Sequence, residues 1–236
     1  MKQIRSSCKR FACMFLLAAC WIAAAGSMRT YAVHTAVGVP ASRSYVKADY
    51  KGRVIIFAGD SRTMYLTADN LKKYRKNCAF VWINGGSVSW IGKKGKLKPY
   101  LDKMISRYRK RCVVVFNFGI NGNSSPKKNA GRIIKTYRQY MKKYPDVTFF
   151  AESVNPSGFQ SNTGYGNKKI EKLNSLLQKE FGDQYIDVSS VLLQKKIVTK
   201  NGKGTKDNLH YKAKTNRAIY KQVKKFVNDY AYPEGE

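Results

Sequence analysis

Ser61, Asp207 and His210 are the residues whose types and spacing could carry nucleophilic chemistry in this sequence. A serine hydroxyl attacks a carbonyl only when a neighbouring base removes its proton, so a nucleophilic Ser61 requires an imidazole and a group to orient it. The sequence has only two histidines, His34 and His210. His34 lies beside the N-terminal leader, so a folded domain can draw only on His210. Asp207 stands three residues earlier in DNLH, where a short turn can hold its carboxylate against Nδ1 and leave Nε2 facing a serine. Acyl transfer also needs donors aimed at the developing oxyanion, and the Ser61 N–H, a glycine N–H at Gly85 or Gly86 and the Asn121 amide are candidates. Each residue also has a plain structural reading: Ser61 as a helix cap, Asp207 and the glycines in turns, Asn121 in an Asx turn. Their joint occurrence at the ends of successive apolar runs favours the chemical reading.

Those runs are RVIIFAG, CAFVWING, CVVVFNFG, VTFFAES and QYIDVSS, short and β-branched or aromatic, as strands buried on both faces must be. Helical patterns separate them: about 64 to 76, then KLKPYLDKMISRYRK, NAGRIIKTYRQYMKKY, NKKIEKLNSLLQKEF and finally KAKTNRAIYKQVKKFVNDY. The alternation predicts an α/β domain with a five-stranded parallel sheet between two helix layers, its ligand site at the carboxyl ends of the strands. Asp60 and Ser61 follow the first run, Gly85 and Gly86 the second, Asn121 the third, and Glu152, Ser153 and Asn155 the fourth. The stretch 200–211, KNGKGTKDNLHY, breaks the pattern and brings His210 to the same edge.

With those residues in place, the sequence resembles the SGNH or GDSL hydrolases, a family of serine esterases and acyl hydrolases. GDS at 59–61 is similar to the first family block, NGG at 84–86 to the second, GIN at 119–121 to the third and DNLH at 207–210 to the last. The resemblance covers about residues 53–230, with GDSR and SVNP similar to exported bacterial members. It implies a flavodoxin-like sandwich with strand order 2-1-3-4-5, Ser61 as nucleophile, His210 as base, Asp207 as its orienting acid, and Ser61, Gly85 and Asn121 as the oxyanion hole. Gly122 departs from the pattern, standing where the third block usually carries Asp. The motif GxSxG is absent, as are zinc-ligand spacing, GxGxxG and a P-loop, so neither metal nor cofactor is expected. Trp90 is a candidate for lining a sugar cleft, beside the commoner role of an aromatic in packing.

The first 32 residues read as a signal peptide, with Lys2, Arg5, Lys9 and Arg10 ahead of FACMFLLAACWIAAAG and small residues for cleavage after Ala25 or Ala32. LAAC at 17–20 offers Cys20 as a lipoprotein alternative, although the apolar run continues past it. Residues 33–52 read as an arm or tether and 53–236 as the domain. Lys and Arg total 45 against 14 acidic residues, a net charge of +31. Removing a leader with five basic and no acidic residues leaves 40 against 14, or +26. Such a charge favours retention on an anionic wall or membrane surface, but basic residues spread over every helix form no single block. No basic-aromatic stripe supports a nucleic-acid partner. Beyond the leader only Cys78 and Cys112 remain. The implied strand order puts about two strand spacings between them, too far for a disulfide. The expected function is an exported serine esterase that removes short acyl groups, acetyl among them, from a carbohydrate or cell-envelope ester. An O-acyltransferase with the same triad and a non-catalytic basic surface module are the alternatives.

Overall fold

The computed structural model describes residues 45–47, 52–92, 97–121, 125–159, 166–199 and 201–231. All belong to one unit that runs from Gly38 to the end of the chain. The leader, Cys20, His34, Gly122 and most of the arm lie outside the described residues.

Six strands form one sheet: β1 (Tyr45–Val46), β2 (Val54–Gly59), β3 (Cys78–Trp82), β4 (Cys112–Asn117), β5 (Thr148–Glu152) and β6 (Tyr185–Ile186). Their order is β1-β3-β2-β4-β5-β6. The five strands β2 to β6 are parallel, and counted alone they run 2-1-3-4-5 as expected. The arm adds β1, which pairs antiparallel with β3 through Tyr45 and Val81 and through Val46 and Phe80. Read as tether, 33–52 therefore also contributes an edge strand, and two residues are too short a run for periodicity to reveal.

Strand alternation divides the core in two. Val54, Ile56 and Ala58 of β2 join Val114 and Phe116 of β4 on one face. There they pack under α3 (Lys98–Tyr108), α4 (Pro126–Lys143) and α5 (Asn167–Phe181) through Leu101, Ile105, Ile133, Tyr137 and Leu173. Ile55, Phe57, Phe80 and Val115 face the other way, against Leu192 of α6 (Val188–Gln194) and Ile219, Tyr220 and Val223 of α7 (Ala213–Ala231). Two short helices follow β2 and β3: α1 (Ser61–Tyr65) and α2 (Ser89–Gly92).

Two segments differ from the sequence reading. The helix expected over 64–76 is split into α1 and a 3-10 turn at Asp69–Tyr74. The last strand stops at Ile186 because the Asp187 side chain accepts the Ser190 N–H at 3.0 Å and caps α6, so DVSS opens a helix. Cys78 and Cys112 are both free and buried. They flank β2, and they project into opposite layers of the core, so the separation expected from strand order is compounded by direction.

Candidate active site

Gly59 ends β2 where no side chain fits: a Cβ there would collide with Thr63 Oγ1 and lie 2.6 Å from the Asn117 carbonyl oxygen. The missing side chain lets α1 begin at once against the end of β4. Asp60 caps α1, its Oδ1 accepting the Arg62 N–H at 2.9 Å, which places Ser61 on the first helical residue. Ser61 thus stands at the carboxyl edge with its oxygen 2.9 Å from His210 Nε2. These two residues are 149 positions apart in the chain.

The histidine arrives on a tight loop. Thr205 and Tyr211 form an isolated antiparallel bridge, Lys206 N–H donates to the His210 carbonyl at 2.7 Å, and Asn208 takes a positive φ of 65° at the tip. An asparagine tolerates that conformation better than a branched residue. Inside the loop, Asp207 Oδ1 accepts the N–H groups of Leu209 at 3.0 Å and His210 at 2.7 Å, and Oδ2 lies 2.7 Å from His210 Nδ1. One carboxylate therefore shapes the turn and fixes the imidazole tautomer, Nδ1–H towards Asp207 and the Nε2 lone pair towards Ser61. Burial would raise the Asp207 carboxyl, but hydrogen bonds from the His210 side chain and backbone prevail and hold it below its ordinary value. Burial lowers the His210 pKa, and the Arg62 and Lys206 charges add to that, outweighing Asp207. The imidazole is neutral at pH 7, the state a base requires. Tyr65 packs against its ring, centroids 4.5 Å apart.

Gly85 and Asn121 come to the same edge. Gly85 adopts φ 64°, with nothing within 4 Å of where a Cβ would stand. Gly86 N–H donates to the Ile83 carbonyl at 3.3 Å, so its amide serves the turn. Asn121 Nδ2 donates to the Gly86 carbonyl at 3.3 Å, linking the loops after β3 and β4. Its second amide hydrogen is not used in that link. Trp90 is half-buried on α2.

Sequence reasoning placed Glu152 and Asn155 at this edge without a role and missed Arg62 and Tyr211 beneath the site. Arg62 is 4% exposed. Its Nε donates to the Leu209 carbonyl at 3.1 Å, its Nη1 to the Asn155 carbonyl at 2.7 Å, and its guanidinium lies 4.8 Å from the Tyr211 ring centroid. The residue after Ser61 thus ties down the residue before His210. Tyr211 O–H donates to the Pro156 carbonyl at 2.6 Å, a further link from the histidine loop to SVNP. Glu152 is buried under these loops and accepts the Asn155 Nδ2–H at 2.8 Å. Desolvation pushes its carboxyl up to about 7 and that of Asp60 up to about 6. Arg62 in GDSR was visible as a residue, but nothing in a lone arginine distinguishes a buried fork from a solvated charge.

Among the described residues, no group of three His, Cys, Asp or Glu is placed to hold a metal ion. What the site can do chemically is transfer a proton from a hydroxyl to a neutral imidazole.

The family model of the GDSL-like lipase/acylhydrolases matches residues 40–223. A comparison with curated protein sequences gives no match. Among solved structures, the chain is similar to a GDSL-like lipase from Bacteroides thetaiotaomicron, with 15% identity, a TM-score of 0.55, and coverage of 86% of this chain and 97% of that one. A lipase/acylhydrolase from Enterococcus faecalis has 14% identity, TM-score 0.54, and coverage of 75% and 96%. An acetylxylan esterase from Geobacillus stearothermophilus has 12% identity, TM-score 0.54, and coverage of 75% and 94%. At such identities these likenesses concern the fold, whereas the family match spans most of the sequence: the chain belongs to the GDSL-like lipase/acylhydrolase family.

Proposed function

We propose that the protein is an exported serine esterase that hydrolyses short acyl esters, O-acetyl groups among them, on a carbohydrate or cell-envelope substrate. The observation that carries this reading is the hydrogen-bonded line from Asp207 Oδ2 through His210 to Ser61 Oγ, with contacts of 2.7 and 2.9 Å.

In the reaction, Ser61 Oγ bonds to the ester carbonyl carbon while His210 Nε2 takes its proton. Asp207 remains ionised and stabilises the imidazolium. The carbonyl oxygen becomes an oxyanion, stabilised by the Ser61 and Gly85 N–H groups and the Asn121 amide. Collapse breaks the bond to the alkoxy oxygen, His210 returns the proton to the leaving alcohol, and the acyl group stays on Ser61. A water then attacks the acyl carbon, giving its proton to His210; collapse breaks the bond to Ser61 Oγ, His210 returns the proton to that oxygen, and the carboxylic acid leaves with Ser61 regenerated. Arg62 positions the base without touching the substrate.

Carbohydrate O-acetyl esters as substrate are supported by the fold likeness to the acetylxylan esterase and by the site's place at an open sheet edge. Export rests on the leader sequence and surface association on the charge. Incubation with acetylated oligosaccharides and nitrophenyl esters tests the reading. Release of acetate or nitrophenol, abolished by Ser61→Ala, is expected. Transfer of the acyl group to an added acceptor glycan in place of acetate release would make the protein a transferase, and no turnover of any ester would overturn the proposal.

A further inference from the structure

The sequence spreads its basic residues over every helix, yet folding gathers one set into a concave surface. A groove of about 530 Å³ runs between α6 and α7. Lys195 flanks it from the end of α6, and Lys214, Arg217, Lys221 and Lys225 line it from α7. All five are exposed, and none of the lining residues is acidic; Lys225 also pairs with Asp229 at 2.6 Å. The α7 cations recur every three or four residues on one helix face, a rise of roughly 4.5–6 Å between neighbours and roughly 16 Å in all. Beside the charges the lining is mostly apolar, formed by half-buried Val191, Ile197, Ala218 and the Tyr74 side chain together with half-buried Gln222.

We propose that this groove binds a linear phosphodiester polymer with small polyol spacers, its phosphates along the α7 cations and its carbon spacers on the apolar lining. Three features select that occupant. The cations form a row, which suits a chain better than a single anion. Apolar side chains adjoin the cations, which suits a polymer whose phosphates are separated by carbon. A single aromatic ring, Tyr74, lines the groove, so successive bases of a nucleic acid would find no stacking platform. Because lysine and arginine bind phosphate without proton transfer, the interaction is independent of Ser61 chemistry and would hold the protein on such a polymer whatever ester it cleaves.

The test uses a fluorescent glycerol-phosphate oligomer and two variants of equal charge change. One carries Lys195→Gln, Lys214→Gln, Arg217→Gln and Lys221→Gln. The control carries Lys168→Gln, Lys169→Gln, Lys172→Gln and Lys179→Gln, all exposed on α5 in the opposite layer. The groove variant is expected to bind about tenfold or more weakly, with a shallower salt dependence, and the control to lose about threefold or less. Hydrolysis of a soluble nitrophenyl ester should be the same in both, which separates this proposal from the esterase reading. Equal losses in the two variants would reduce the effect to net charge and overturn the site. So would unchanged binding by the groove variant. Tighter, groove-dependent binding of a single-stranded oligonucleotide or of anionic phospholipid vesicles would overturn the choice of polymer. Should the fourfold variant fold poorly, Lys195→Ala and Lys221→Ala singly must each weaken oligomer binding where Lys172→Ala does not.

Discussion

On the proposed mechanism Ser61 and His210 act as a unit, so either replaced by alanine should lower ester turnover by about 10⁴-fold or more, and the double variant should lose little beyond that. Asn121→Ala removes one oxyanion donor and should cost roughly 10²- to 10³-fold in kcat. Asp207→Asn should fall between these limits, since the serine and imidazole remain. Arg62 makes a different prediction because it acts through its neighbours. It fixes Leu209 and Asn155 by their carbonyls, and its charge is one of the causes that lower the His210 pKa. In the native protein the acid limb of kcat/KM should therefore lie below 6.5, the ordinary histidine value. Arg62→Gln should move that limb upward and lower kcat by roughly 10²-fold through misplacement of the base. Arg62→Lys keeps the charge but loses the fork, so it should restore the limb and not the rate. A pH–rate profile of the three proteins on a nitrophenyl ester checks both parts. An unmoved limb in Arg62→Gln would show that the guanidinium charge is not felt at His210.

The elements impose their own constraint, because the loops after β2, β5 and β6 meet over two buried carboxyls. Glu152 titrates near 7 in the folded protein and 4.5 when free, Asp60 near 6 against 3.8. A raised carboxyl pKa means that the folded state holds its proton where the unfolded state has lost it, so these groups make stability fall as pH rises through about 4 to 7. Glu152 alone accounts for up to about 3 kcal/mol across that interval. Glu152→Gln keeps an acceptor for Asn155 and removes the titration. Its denaturation midpoint should change less than that of the native protein between pH 5 and pH 8, and an identical pH dependence would contradict the buried charge. The parallel strands and most of the larger helices were legible because apolar runs and helical periods alternate cleanly. The capped helix α6 was not, since Asp187 after YI reads equally as a strand end and as a cap, and only packing of Leu192 on the sheet decides. Ser61, Gly85 and Asn121 were singled out by residue type at strand ends and Asp207 with His210 by the spacing in DNLH, and the structure brings Asp207, His210 and Ser61 within hydrogen-bonding distance. Arg62 and Tyr211 were not legible, because what distinguishes them is the carbonyls they meet across long stretches of chain.

At the scale of the molecule, the doubly layered sheet brings residue 61 to residue 210 at one edge and leaves the helix layers to carry charge. The two roles separate on this fold: the site faces the carboxyl ends of the strands, and the cationic groove lies between α6 and α7. With the proposed leader removed, a net charge of +26 should hold the protein on anionic cell-surface material at low salt and release it as screening rises. Equal recovery in low-salt and high-salt washes would contradict that. The central claim is that the whole scaffold serves to activate one hydroxyl. It is tested most directly by treating the folded protein with a fluorophosphonate and locating the adduct by peptide mass. The account predicts a single covalent adduct on Ser61, absent from Ser61→Ala and strongly slowed in His210→Ala. An unlabelled protein, or an adduct on another residue that persists in Ser61→Ala, would contradict it.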